Sequence, residues 1–142
     1  MNRSVKSICF YVNDRKNRAA EVRDMLAPVA EAAGLEVTAD GGAADAVLAL
    51  GGDGTMINHS LRAAEKNKAA IGVNLGHLGF LMALERTEIA SLRALATGDF
   101  HVESRMLLDA EIRLKDEVIH RQRILNDVVI ASGVRSKIAE FS

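Results

Sequence analysis

The residues best suited to take part in chemistry lie in the stretch from Val47 to Thr55, which reads VLALGGDGT. Its four leading apolar residues predict a short buried strand, and the glycines that follow permit a sharp turn and the close approach of a ligand. Asp53 is the acid at this turn. A strand, a glycine turn and the start of a helix together indicate a seat for phosphate.

A helix is expected directly after the turn, with Thr55 as its N-terminal cap. Its apolar positions recur at helical spacing and are Ile57, Leu61 and Ala64. Free backbone N–H groups at a helix N-terminus attract anions, so the phosphate should bind where the strand stops. The residues expected to form this phosphate seat are Gly51, Gly52, Gly54 and Thr55.

A simpler interpretation of Asp53 stays open at this point. Gly-Asp-Gly is also good turn chemistry, and a single Asp before a helix commonly caps that helix without any catalytic role. The neighbouring stretches have to decide between a cap and an acid in a ligand site.

The elements around the turn indicate an α/β fold. Further apolar runs predict strands at Ser7–Val12, Leu35–Thr38 and Ala69–Val73. A helix between the first two should end near Gly34, with a kink or a restart at Pro28. Its apolar face consists of Val22, Met25, Leu26 and Val29. This alternation predicts a doubly wound, mostly parallel sheet with helices on both faces and ligands at the carboxyl ends of the strands.

A second loop, NLGHLGFL at Asn74–Leu81, follows a nearby strand. Gly76 and Gly79 permit a tight loop at the strand end. Phe80 could lie against a flat base, although core packing is the commoner fate of a phenylalanine beside leucines.

A domain boundary is predicted near residue 100. A third helix, Thr87–Thr97 with Gly98 as its stop, closes an α/β domain at residues 1–100. Residues 101–142 should begin an antiparallel β-domain that is truncated in this chain. Its expected elements are strands at Leu107–Leu114, Arg123–Ala131 and Ile138–Phe141, with a hairpin turn at Lys115 and Asp116. Exposed edges of this second sheet predict a homo-oligomer, a dimer or a tetramer.

Composition excludes several classes of protein. A net charge of -1, with Lys and Arg scattered among acids, argues against a nucleic-acid partner. No apolar stretch approaches the length of a membrane span or of a signal-peptide core, which predicts no membrane partner. The single cysteine, Cys9, fits a reducing cytoplasm. None of the four histidines has the spacing of a metal site, so no metal held by the protein is expected.

Three stretches in this order resemble the NAD kinase family. They are GGDGT at Gly51–Thr55, IGVNLGHLGFL at Ile71–Leu81 and LNDVVI at Leu125–Ile130. The first stretch alone is also similar to the phosphate motif of diacylglycerol and sphingosine kinases and of 6-phosphofructokinases. The second stretch distinguishes NAD kinases from lipid kinases, because lipid kinases are expected to show a loop of the proline-leucine-glycine-threonine-glycine-asparagine type at this place.

The resemblance implies transfer of the terminal phosphoryl group of ATP, or of polyphosphate, to the 2′-hydroxyl of the adenosine ribose of NAD, giving NADP. Asp53 would be the acid at the centre of this reaction, and Gly54 would contact NAD with it. Phe80 would line the NAD pocket. Mg²⁺ or another divalent cation would accompany ATP.

Two further positions carry over from the resemblance to the ligand site. Asn126 and Asp127 would hold adenosine-side groups of NAD, although Asn-Asp in an apolar strand run could also mark a bulge or a strand edge. Asp127 stands where the family more often has Glu. Lys137 falls where family members often place a basic or polar residue near the dinucleotide.

The resemblance covers nearly all of this chain but roughly half of a typical family member. The family's Thr-Ala-Tyr and Ser-Ala-Gly-Gly region has no match here, so we expect this chain alone to be an incomplete enzyme. A nucleotide-binding module without activity, or a related kinase with a lipid or sugar acceptor, remains the alternative.

Overall fold

The structure is a computed structural model that describes residues 4–12, 18–76 and 79–129. For residues 18–20 it describes the backbone only. The chain divides into two compact units, Met1–Ser104 and Arg105–Ser142. The expected strand Ile138–Phe141 lies outside the described residues. The assignment of 1–100 and 101–142 to a nucleotide-binding and a β-domain stays a prediction.

The first unit is built on a parallel sheet of five strands. They are β1 (Ser7–Val12), β2 (Glu36–Val37), β3 (Ala46–Gly51), β4 (Ala69–Asn74) and β5 (Leu84–Glu85). The strand order is β2-β1-β3-β4-β5, and every neighbouring pair is parallel. β3 is buried throughout up to Gly51, as expected for a central strand with both faces covered.

Two helices form the crossovers of this sheet. α1 (Arg18–Ala32) joins β1 to β2, and α2 (Asp53–Glu65) joins β3 to β4. These connections leave the sheet centre in opposite directions, so right-handed crossovers put the two helices on opposite faces. The prediction of a doubly wound sheet is thereby confirmed. Its order reverses between β1 and β3, which is where ligands bind in such sheets.

The helices differ from their predictions in detail. α1 runs through Pro28 without a restart, and it buries Leu26 and Ala30 while Met25 is 44% exposed. The expected third helix is a 3₁₀ helix (Arg86–Leu92) that continues into α3 (Arg93–Thr97). Its stop at Gly98 is confirmed by a φ of 79°.

Helix α2 also buries a different face from the predicted one. His59 and Ala63 are its buried residues, whereas the predicted core positions are half-buried. The His59 ring packs against Tyr11, with ring centroids 5.1 Å apart. His59 therefore has a structural place between α2 and β1.

The core of this unit lies between the sheet and its helices. Its largest fully buried apolar side chains are Ile8, Leu26, Leu35, Leu48, Leu50, Leu92, Val47 and Val73. No helix within the described residues is both long enough and apolar enough to span a bilayer.

Asp45 fastens the start of β1 to the loop before β3. Its carboxylate accepts hydrogen bonds from the backbone N–H groups of Lys6 and Ser7, at 2.8 and 3.1 Å. The bond from Lys6 is the main reason why the pKa of Asp45 lies below its ordinary value. A lowered pKa means that the ionised group stabilises the folded state.

We therefore expect Asp45→Asn to lower the free energy of unfolding by about 1 kcal/mol at neutral pH. The native contribution of Asp45 is present above its unfolded pKa and disappears as the pH falls through the lower folded pKa. Urea unfolding across the acidic range should show that the difference in free energy of unfolding between variant and wild type shrinks as the pH falls below 3.8, the ordinary pKa of an aspartate. Exposed Asp99, changed to Asn, is the control. A difference that stays constant with pH would contradict the assignment.

The described part of the second unit is an antiparallel hairpin. It consists of β6 (Leu108–Leu114), a turn at Lys115 and Asp116, and β7 (Glu117–Ile124). The predicted turn is confirmed, and Lys115 has a φ of 55°. The predicted strand Arg123–Ala131 is wrong, because β7 ends at Ile124 and residues 125–129 form no strand.

The hairpin carries both ion pairs and exposed apolar side chains. One face carries cross-strand ion pairs between Asp109 and Arg123 and between Glu111 and Arg121. The hydrogen bond from Arg123 lowers the pKa of Asp109. Apolar side chains that remain exposed on the hairpin are Leu108, Ile112, Leu114, Val118 and Ile119.

Candidate functional site

The fold puts Asp53 at the carboxyl end of a central strand. β3 ends at Gly51, Gly52 is the N-cap residue in extended conformation, and α2 begins at Asp53. Both capping predictions are therefore wrong. Asp53 and Thr55 lie inside the first helical turn, so neither occupies the position from which a side chain caps the helix.

The Asp53 carboxylate joins the two stretches that sequence analysis singled out. Its Oδ2 accepts the N–H of Phe80 and its Oδ1 accepts the N–H of Leu81, each at 3.0 Å. We call these two hydrogen bonds the Asp53 clasp. Each carboxylate oxygen retains a second lone pair, and Asp53 is partly exposed. The group can therefore accept a further hydrogen bond from a ligand.

Two glycines are required by close contacts in this site. A Cβ at Gly79 would lie 2.3 Å from Oδ1 of Asp53, and a Cβ at Gly51 would lie 2.4 Å from Oγ1 of Thr55. Gly79 thus permits the clasp, and Gly51 permits the packing of Thr55 against the strand end. A Cβ at Gly52 or Gly54 would meet open space, so the backbone there is accessible. Phosphate binding by these residues stays a prediction.

Phe80 does not take the core position that is commoner for its type. Its side chain is 98% exposed, while its own N–H is held in the clasp. An exposed aromatic ring whose backbone is held by the site is available for contact with the flat face of a base.

Asn74 is a residue of this region that sequence analysis did not select as a site residue. It ends β4 and is only 1% exposed. Its Nδ2 donates to both carboxylate oxygens of Glu85, at 3.0 and 3.1 Å, and its Oδ1 accepts the N–H of Gly76 at 3.1 Å. The sequence feature that could have marked Asn74 as a site residue is its position as a polar residue at the end of an apolar strand.

The remaining predicted site residues belong to the second unit. Asn126 and Asp127 follow β7 and are exposed. The expectation that they lie inside a strand run is wrong, since β7 ends at Ile124, before both residues. Lys137 lies outside the described residues. The roles of these three residues stay predictions.

Comparison with known proteins shows which family this chain resembles. Residues 39–100 match the family model of the ATP-NAD kinase N-terminal domain. An NAD kinase of Citrifermentans bemidjiense is 40% identical over 107 residues, which are 75% of this chain and 36% of that protein. An NAD kinase of Natranaerobius thermophilus is 39% identical over 111 residues, which are 78% of this chain and 39% of that protein.

The chain belongs to the NAD kinase family. It spans little more than a third of the length of the NAD kinases that it matches. The segment matched by the family model contains the clasp together with Gly79, Asn74 and Glu85. Asn126, Asp127 and Lys137 follow that segment.

Proposed function

We propose that the intact protein phosphorylates the 2′-hydroxyl of the adenosine ribose of NAD, with ATP or polyphosphate as donor. The clasped Asp53 carboxylate, partly exposed at the carboxyl end of β3, is the observation that carries this proposal. NAD kinase relatives supply the class of reaction. Gly54 is proposed to contact NAD beside Asp53, and Gly51, Gly52 and Thr55 belong to the proposed phosphate seat.

Asp53 would act on the ribose hydroxyl, which is a weak nucleophile. Its carboxylate accepts the hydroxyl hydrogen bond and then the proton, while the new O–P bond forms and the bond to the ADP oxygen breaks. Phosphoryl transfer has a loose transition state, so positioning supplies most of the acceleration. The open backbone at Gly52 and Gly54 lies at the N-terminus of α2, whose N–H groups favour the phosphate charge.

The divalent cation is proposed to arrive with ATP. Within the described ranges no three His, Cys, Asp or Glu side chains converge as a metal site. Mg²⁺ in sites of this kind is commonly bound by substrate phosphates together with one or two protein carboxylates. The cation would neutralise phosphate charge.

Phe80 is proposed to lie against a base of NAD, with Asn126, Asp127 and Lys137 as further contacts. We expect Phe80→Ala to weaken NAD binding about 10-fold. Because the ring is 98% exposed, the free energy of unfolding should change by less than about 0.5 kcal/mol. Calorimetric titration with NAD and urea unfolding measure the two effects. Met106→Ala, at a side chain that is 77% exposed, is the matched control. Unchanged NAD affinity would remove Phe80 from the site.

The proposed reaction is tested with the protein at the full length of its gene. Mixed with NAD, ATP and Mg²⁺, it should form NADP, followed with an NADP-specific dehydrogenase. Replacing NAD by a diacylglycerol or a sugar as acceptor should give no transfer. Binding of NAD without turnover would instead indicate a nucleotide-binding module.

Two further parts of the proposal concern assembly and location. The exposed apolar side chains of the β6–β7 hairpin support a homo-oligomer formed through the β-region. A monomer by light scattering would contradict this. The buried free thiol of Cys9 supports a location in the reducing cytoplasm. The net charge of -1 supports a protein without nucleic-acid or membrane partners.

A further inference from the structure

Asn74 and Glu85 form a polar pair at the buried edge of the candidate site. They are register partners at the ends of β4 and β5, and the Asn74 amide bonds both carboxylate oxygens of Glu85. The Glu85 carboxylate also accepts the N–H of Glu88, while the Glu88 side chain accepts the N–H of Glu85. The pair therefore fixes the short strand β5 to β4 and to the 3₁₀ helix.

Further contacts link this pair to the clasp. The N–H of Ala83 donates to the carbonyl of Gly72 at 3.0 Å, and Met82 packs on Gly72 closely enough that a Cβ there would meet its Sδ at 2.6 Å. Leu81, the next residue back, donates to Asp53. Leu84 and Glu85 pair with β4 as part of the sheet. The segment from Leu81 to Glu85 is therefore attached to Asp53 at its start and to β4 along the rest of its length.

Asn74, at the other end of the pair, lies beside the end of β3, where it is the register partner of Gly51. Asn74 holds the N–H of Gly76, and the N–H of Leu75 donates to the carbonyl of Gly51 at 2.9 Å. Gly51 lies two residues before Asp53. Asn74 thus holds the Leu81–Glu85 segment through its side chain and adjoins the strand end before Asp53 through its backbone.

We infer that Asn74 and Glu85 are positioning residues that orient the Asp53 carboxylate through the Leu81–Glu85 segment. The inference rests on the proposed function for its kinetic consequence and on the clasp for its structural one. Two apolar side chains could pack β4 against β5 equally well. Hydrogen bonds between an amide and a carboxylate also fix the relative orientation of the two strand ends.

An exchange of polarity within the pair gives the sharpest test. Asn74→Asp keeps the acceptor for Gly76 but puts two carboxylates face to face. In the double variant Asn74→Asp, Glu85→Gln, the glutamine amide donates to Asp at position 74 and its oxygen still accepts the N–H of Glu88. The single change should therefore disturb the clasp, and the double change should restore it. Glu85→Ala is the second variant if Asn74→Asp does not fold.

Amide hydrogen exchange of the intact protein without substrate reads the clasp directly. In Asn74→Asp, exchange at Phe80 and Leu81 should accelerate about 10-fold or more, while the buried amide of Leu48 in β3 stays protected. In NADP formation, kcat should fall about 10- to 100-fold with a much smaller change in the KM for NAD. Both readouts should return toward wild type in the double variant.

Unchanged exchange at Phe80 and Leu81 in a folded Asn74→Asp or Glu85→Ala variant would overturn the inference. Loss of kcat without recovery in the double variant would overturn it as well. If the wild type forms no NADP, the proposed function fails by itself, and the exchange pattern still decides whether this pair holds the clasp.

Discussion

Asp53→Asn should lower the kcat of NADP formation by about 10²- to 10⁴-fold while NAD still binds. The amide cannot take the ribose proton, and its NH₂ group cannot accept the N–H of Phe80 or Leu81 as the carboxylate oxygen does. Proton acceptance and part of the clasp are thus lost together. Steady-state kinetics with NAD titration by calorimetry separates the catalytic loss from a binding loss.

The matched control for this change is Asp99→Asn. Asp99 is an exposed aspartate after α3, and its replacement alters net charge by the same amount. Its kcat should stay within about 2-fold of wild type, as expected for a surface change away from the site. If Asp53→Asn retained wild-type kcat, Asp53 would not be the acid of the reaction.

Gly79→Ala is expected to have the second-largest effect. The added Cβ would lie 2.3 Å from Oδ1 of Asp53, so either the carboxylate or the turn at residues 79–81 has to move. A misplacement of this size should lower kcat about 10- to 100-fold. Overpacking of this kind should lower the free energy of unfolding by about 1–3 kcal/mol. Kinetics and urea unfolding of the same preparation measure both quantities.

Gly76→Ala is the control for the added methyl group. A Cβ at Gly76 would meet no atom within 4 Å, so both kinetics and stability should stay close to wild type. Equal losses at Gly76 and Gly79 would show that the loop is sensitive to any added methyl group. The contact between Gly79 and Asp53 would then not explain the effect.

Local sequence pattern was enough to predict the architecture around the site. The continuous apolar run before Gly51 predicts a strand buried on both faces, and β3 is such a strand. The alternation of strands with helices predicts a parallel sheet, because parallel strands need long crossovers. Gly98 predicts the end of a helix, and its positive φ confirms it.

Features that depend on long-range contacts were not predictable in the same way. β7 is polar and exposed, so its place is set by pairing with β6 and not by an apolar pattern of its own. The clasp joins residues 27 and 28 positions apart, and the pairing of Asn74 with Glu85 spans 11 positions. No periodicity within one element signals such contacts. Phe80 was ambiguous because the same residue type suits a core and a ligand site.

The most direct test of this account is a crystal structure of the full-length protein with NAD bound. We expect the 2′-oxygen of the adenosine ribose to lie within about 2.6–3.2 Å of an Asp53 carboxylate oxygen, with the Phe80 ring beside a base. A dinucleotide whose adenosine ribose lay away from Asp53, with a different group next to the 2′-hydroxyl, would contradict it.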